Sequence, residues 1–252
     1  MVLLSIGLVS AGAEEGGQKI ITPEDLMGLP EPVQKFLKFS QVVNTPRVNK
    51  VELKQKGLFK TAPDRDWVPF TATQTFDVVK AGFEWKVKMK MAPLLVVTGR
   101  DQLKDSEGSM LIKILGLIPV VNARGPEMDQ GAMTRYLSET IWFPQAWLSE
   151  NIRWEPIDTL SARATLTINE KSVDGIFYFA PDGRCTEFKC QRYYSSGDEM
   201  ALYPWRTPVD EYSEINGVVI CSRARAIWEK PEGNFCYVDL EITKYRVETQ
   251  SP

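Results

Sequence analysis

Arg135 and Glu139 are the side chains best spaced for joint chemistry. They lie four residues apart in a stretch of helical periodicity, which puts a guanidinium and a carboxylate on one helix face. Such a pair could hold a polar head group at the mouth of a cavity. The plain alternative is a solvated ion pair worth roughly 0.3–0.5 kcal/mol. Glu127 and Asp129 follow Arg124-Gly125-Pro126. Two acids so close could act as acid and base or hold a cation. They equally suit the start of a helix, where free N–H groups and the helix dipole favour negative charge, and a cation needs more oxygen ligands than this stretch supplies.

Other chemistry is narrowed by what is missing. The chain has no histidine, which removes Ser-His and Cys-His nucleophile pairs and every metal site built on imidazole. Ser195-Ser196-Gly197 and Gly108-Ser109-Met110 do not form a Gly-x-Ser-x-Gly elbow. Gly125 and Gly131 do not form a phosphate-binding motif. Cys185, Cys190, Cys221 and Cys236 contain no Cys-x-x-Cys pair. They suit small buried hydrophobes, with one disulfide as the alternative in an exported chain. Cys185 and Cys190 would face opposite sides of one strand and cannot bond to each other. No metal and no cofactor are expected. Acid–base work by Asp, Glu or Lys stays open.

The elements that must position these groups follow from patterning. The chain has 252 residues, 43% hydrophobic and 25% charged, with net charge −3. This is a globular composition. Lys and Arg alternate with Glu and Asp and form no dense basic block, which disfavours a nucleic-acid partner. Met1–Ala13 is apolar but too short to span a bilayer. Small-residue cleavage sites occur in it and no Lys or Arg precedes it, so export or membrane tethering competes with a plain terminus. Residues 1–21 are expected to be an apolar segment and flexible linker, and residues 22–252 one β-rich domain.

Thr22-Pro23-Glu24-Asp25 opens a short helix, and Leu29–Leu37 a second whose Val33, Phe36 and Leu37 share a face. This pair is expected to cross the sheet or close one end of it. From Arg47 the period is two. Val51, Leu53, Gln55, Gly57 and Phe59 lie on one side of a strand; Phe70, Ala72, Gln74, Phe76 and Val78 continue the pattern, as do Phe83, Trp85, Val87, Met89 and Met91. Asn216-Gly217 is a strong hairpin signal. Met128–Leu148 is the clearest helix in an otherwise stranded chain. Ala132, Met133, Tyr136, Leu137, Thr140 and Ile141 form its buried face, Asp129 caps its start, and Pro144 stops or kinks it at Phe143. These patterns predict a mainly β (α+β) fold: ten to twelve antiparallel strands in a large curled sheet or half barrel, covered by an inserted helix over 129–149.

A sheet of that size must bury its apolar face, and a wide curl leaves more room than its own side chains fill. The inward sets hold large side chains together with small ones, as a bending sheet requires. Phe76, Phe83, Trp85, Met89, Tyr136 and Trp142 are the candidates for lining an apolar cavity, with Arg135 and Glu139 at its polar mouth. The tryptophans suit core packing with a hydrogen-bonded indole first, and a pocket wall or a membrane interface as alternatives.

The segments LPEPVQKFL, GLFKTAPDRDWVPFTATQTF, GSMLIKILGLIPV, GPEMDQGAMTRYLSETIWFP and RWEPID together resemble an uncharacterised bacterial family, from about Leu29 to Tyr245. The resemblance implies no known activity and no catalytic residues. It implies a membrane or cell-envelope location, because members often carry apolar N-terminal segments. More distantly, a long helix laid on a curled antiparallel sheet is similar to periplasmic lipoprotein carriers, which hold acyl chains in a half barrel. The expected function is therefore non-enzymatic binding of a lipid or other apolar ligand between sheet and helix in the bacterial envelope, membrane-associated or periplasmic rather than cytoplasmic. The alternatives are a structural or interaction domain with a solid core, and an enzyme using Asp, Glu or Lys. Ligand identity and oligomeric state are not determined by sequence.

Overall fold

The computed structural model describes residues 19–92, 95–196 and 199–249. The expectations for Met1–Ala13 and Glu14–Gln18 lie outside the described residues. The chain is already packed before Thr22: Ile20 bridges Pro46, and Ile21 is fully buried.

Thirteen strands form one curled antiparallel half-barrel sheet. They are β1 (Val48–Phe59), β2 (Val68–Asp77), β3 (Gly82–Ala92), β4 (Leu95–Lys104), β5 (Glu107–Ile114), β6 (Ile118–Ala123), β7 (Ile152–Asp158), β8 (Ser161–Ile168), β9 (Lys171–Phe179), β10 (Cys185–Ser196), β11 (Glu199–Ile215), β12 (Val218–Lys230) and β13 (Gly233–Thr249). The spatial order is β6-β5-β4-β3-β2-β1-β13-β12-β11-β10-β9-β8-β7. Two meanders therefore meet in the middle. The first runs outward from β1 to β6, and the second runs inward from β7 until β13 pairs with β1. Asn216 (φ 55°) and Gly217 (φ 76°) both take the left-handed conformation that a two-residue hairpin demands.

The connection between meanders is the helix α2 (Pro126–Glu139), followed by 3-10 turns at Thr140–Trp142 and Pro144–Leu148. The α-helix is shorter than the 129–149 expected from sequence. Phe143, preceding Pro144, is non-helical at φ −142° and ψ 72°, as its position requires. Asp129 does not cap the start. It is the fourth helical residue, behind Gly125 at the cap and Pro126. Its carboxylate instead accepts the Gly108 N–H at 2.7 Å and pairs with Lys171 at 2.7 Å, tying α2 to β5 and β9. Gly108 is required there, because a Cβ would strike the Met128 carbonyl. All six expected core positions on this segment are buried, and so are Gly131, Thr134, Ser138 and Glu139. The helix is more enclosed than one amphipathic stripe, because both meanders curl around it.

The helix α1 (Glu31–Phe39) closes one end of the half barrel. Its Phe36 lies 4.3 Å from the Trp147 ring, and Trp147 meets Trp154 and Phe177 at 4.8 Å each. Phe188 completes this aromatic plug at 4.7 Å from Phe177.

Candidate functional site

The described residues leave the other side of α2 unfilled. A cavity of about 570 Å³ lies between the helix, the inner face of β3–β6 and the inner face of β10–β13. Period-two alternation explains its walls: every second residue of β3 (Trp85, Val87, Met89, Met91) points inward, opposed across the curl by β12 and β13 residues such as Trp228 and Val238. Met110, Ile112 and Val121 continue the apolar lining onto β5 and β6.

Of the residues expected to line a cavity, Trp85, Met89 and Trp142 do so, and Arg135 and Glu139 contribute its polar side. Phe76, Phe83 and Tyr136 are placed elsewhere. They lie in the packed core behind the wall, with Phe76 4.4 Å from Phe143 and Tyr136 5.7 Å from Phe143.

Arg135 and Glu139 are not the exposed ion pair that helical spacing allows. Arg135 Nη1 donates to Asp101 Oδ2 at 2.7 Å and Nε to Glu139 Oε1 at 2.8 Å, with side-chain exposures of 15%, 17% and 11% for Arg135, Asp101 and Glu139. The guanidinium also covers the rings of Trp85 (4.7 Å) and Phe83 (5.1 Å). A polar chain backs it: the Trp85 indole donates to Gln55 (2.8 Å), Gln55 to Gln74 (2.9 Å), and Gln74 to Glu139 (2.7 Å). Burial pushes the Asp101 and Glu139 carboxyls up, against the pull of Arg135. The arrangement holds a flat cation rigidly at the cavity wall, and both Glu139 oxygens are occupied by donors.

A second guanidinium, Arg192, was not singled out by sequence. It donates Nε to the Gly131 carbonyl (3.1 Å) and Nη1 to the Tyr237 hydroxyl (3.4 Å), and lies over Trp205 (4.7 Å) and Trp228 (5.6 Å). It therefore links β10 to α2 across the cavity. Gln130 also ties α2 to β10, outside the cavity, donating to the Gln191 carbonyl at 2.8 Å. Asp101 and Arg192 left no sequence signal. Gln55 and Gln74 did: polar side chains on an inward, otherwise apolar set need a buried partner.

The four cysteines are unpaired thiols. Burial pushes Cys190 and Cys221 up to about 12. Among the described residues no group of three or more potential metal ligands occurs. Among them, too, no helix is long and apolar enough to cross a membrane.

A family model described as a family of unknown function, DUF6544, matches residues 19–240. No curated protein matches the chain. Among solved structures, one described as an outer membrane lipoprotein-sorting protein domain from Vibrio parahaemolyticus is similar over 81% of this chain and 87% of its own, at 10% identity and a TM-score of 0.45. A LolA superfamily protein from Nitrosomonas europaea is similar over 87% of this chain and 94% of its own, at 11% identity and a TM-score of 0.45.

Proposed function

The chain belongs to DUF6544, a family of unknown function, and we propose that it binds a lipid or another apolar ligand in the cavity between sheet and α2. The observation that carries this reading is the cavity of about 570 Å³ with a predominantly apolar wall. That volume falls in the range of small-molecule sites, which are mostly apolar with a few placed polar groups. A void of this kind inside a sheet otherwise packed with aromatics loses dispersion contacts unless something fills it. The methionines Met89, Met91 and Met110 suit a ligand of variable shape, because their unbranched side chains adapt. Arg135, fixed by Asp101 and Glu139, offers its remaining polar edge to a ligand's head. The protein acts in or beside the bacterial envelope, where such ligands are available.

The test is native mass spectrometry on protein purified gently from cells, followed by organic extraction. A co-purifying lipid, released on denaturation, is the expected result. Val121→Trp, which places an indole in the cavity, is expected to displace it. A clean unliganded mass together with no uptake of a fluorescent fatty acid would overturn the reading.

A further inference from the structure

The exposed aliphatic side chains are unevenly distributed. Leu117 is 79% exposed and Ile118 59%, and Leu115, Val120 and Leu95 are exposed beside them. All belong to the ends of β4–β6 at one end of the first meander, where the β5–β6 hairpin turns. Leu115 holds φ 53°, a left-handed conformation adopted by a leucine only at a steric cost, ahead of Gly116 at φ 70°. Exposed single aliphatics are ordinary, but a contiguous group on a hairpin end marks a contact surface.

Charge identifies what the surface contacts. Between Glu84 and Asp101 the chain holds Lys86, Lys88, Lys90 and Arg100 and no acid; between Glu107 and Glu127 it holds Lys113 and Arg124 and no acid. Lys86 and Arg100 face each other across β3 and β4 and both pair with Glu84, while Lys88 lies opposite Thr98, which lies opposite Lys113, on the same outer face. Lys88, Lys90 and Lys113 have no carboxylate partner among the described residues. Lys113 precedes Leu115 by two residues, so at about 3.3 Å per residue the backbone of the Lys88–Lys113 row stands within about 7 Å of the hairpin end, and Lys90, opposite Val96, lies level with Leu115, whose N–H donates to the Val96 carbonyl. Interfacial elements bury their apolar parts about 5–10 Å at the headgroup boundary. The spacing thus matches aliphatic tips in the acyl layer with lysines among anionic headgroups.

We propose that the β5–β6 hairpin end, with the adjoining start of β4, docks the protein on an anionic lipid bilayer. The inner face of these same strands carries Val97, Ile112 and Val121 of the cavity wall. Docking rests on the surface alone and does not require the cavity to be loaded.

Flotation of the full chain with phosphatidylcholine vesicles, with and without phosphatidylglycerol, tests the inference. Wild-type protein is expected to float with the anionic vesicles. Leu117→Ser/Ile118→Ser should lower partitioning tenfold or more, on the order expected for withdrawing two aliphatic side chains from an apolar layer. Lys88→Ala, Lys90→Ala and Lys113→Ala should each lower it about fivefold, less in high salt. Val79→Ser, at an exposed valine on the opposite end of the meander, should leave it unchanged. Wild-type protein that does not float, or a Leu117→Ser/Ile118→Ser variant that floats like wild type, would overturn the inference; the second result would place membrane binding elsewhere in the chain or on another partner. Fatty-acid uptake, measured without vesicles, reads cavity occupancy separately, so failure of the ligand reading and failure of docking are distinguishable.

Discussion

The two sides of α2 solve the same problem in opposite ways. On one side, α1 and the turn at Pro144–Leu148 send Phe36 and Trp147 into the curl of β7–β10, where Trp154, Phe177 and Phe188 interlock with them. On the other, no described side chain plugs the space between α2 and the inner face of β3–β6. The sheet there presents Gly99, Ala123 and methionines beside Trp85, and two arginines cross the gap, Arg135 from the helix to Asp101 on β4 and Arg192 from β10 to the helix. A curled sheet thus becomes a core where a second helix plugs it and a container where only polar struts cross it.

Stability measurements are the most direct way to break this contrast. Trp147→Ala is expected to cost about 3–5 kcal/mol, as large-to-small changes in a close-packed core do. Met110→Ala, at the cavity wall, is expected to cost about 1 kcal/mol, because its side chain already faces unfilled space on one side. Urea denaturation of the two variants compares them, and equal losses would mean that the two sides are packed alike.

Arg135→Met tests the struts. Removing one partner of a buried ion pair typically costs about 3–5 kcal/mol. The pH dependence has a defined sign. Asp101 and Glu139 sit above their ordinary values, so the folded protein keeps protons that the unfolded chain releases. Their stabilising contribution is complete below the ordinary carboxylate range and is lost as pH rises through the raised values. Without Arg135 both carboxyls rise further, so the variant should lose more urea resistance in mildly alkaline than in mildly acidic buffer. A loss independent of pH would show that the carboxylates are solvated.

Val121→Trp sharpens the container side. Its unfolding free energy should stay within about 0.5 kcal/mol of wild type, the usual range away from packed features, while fluorescent fatty-acid uptake falls. A large destabilisation without a change in uptake would mean that the indole fits no usable space. The smallest effect concerns the thiols. With Cys190 and Cys221 pushed up to about 12 by burial, little thiolate exists near neutrality, and thiolate is the reactive form. Alkylation followed by mass spectrometry should find these two unmodified in native protein and modified after denaturation.

Much of the fold was legible because it rests on local patterning. The inward sets of β1, β2 and β3 follow strict alternation, and Asn216-Gly217 marked its hairpin. The site was legible only in part. Trp85 and Met89 line the β3 wall, where strand period puts them, and Trp142 faces the cavity from the turn after α2. Alternation turns Phe76 and Phe83 inward and helical spacing does the same for Tyr136; neither states whether they meet a void or other rings, here Phe143 for Phe76 and Tyr136 and Phe76 for Phe83. Arg192 was invisible because its partners, Gly131 and Tyr237, lie 61 and 45 residues away.

The sequence by itself determined that this is a curled antiparallel sheet with a helix between its two series of strands, because side-chain period and turn chemistry are local properties of the backbone. It also ruled out histidine chemistry. Only the tertiary structure decided that the first meander runs to one edge and the second returns to pair β13 with β1. That return sets α2 against both inner faces, buries the Arg135 pair and leaves the cavity. Those outcomes depend on which distant strands become neighbours, and periodicity within a strand carries no information about its partners.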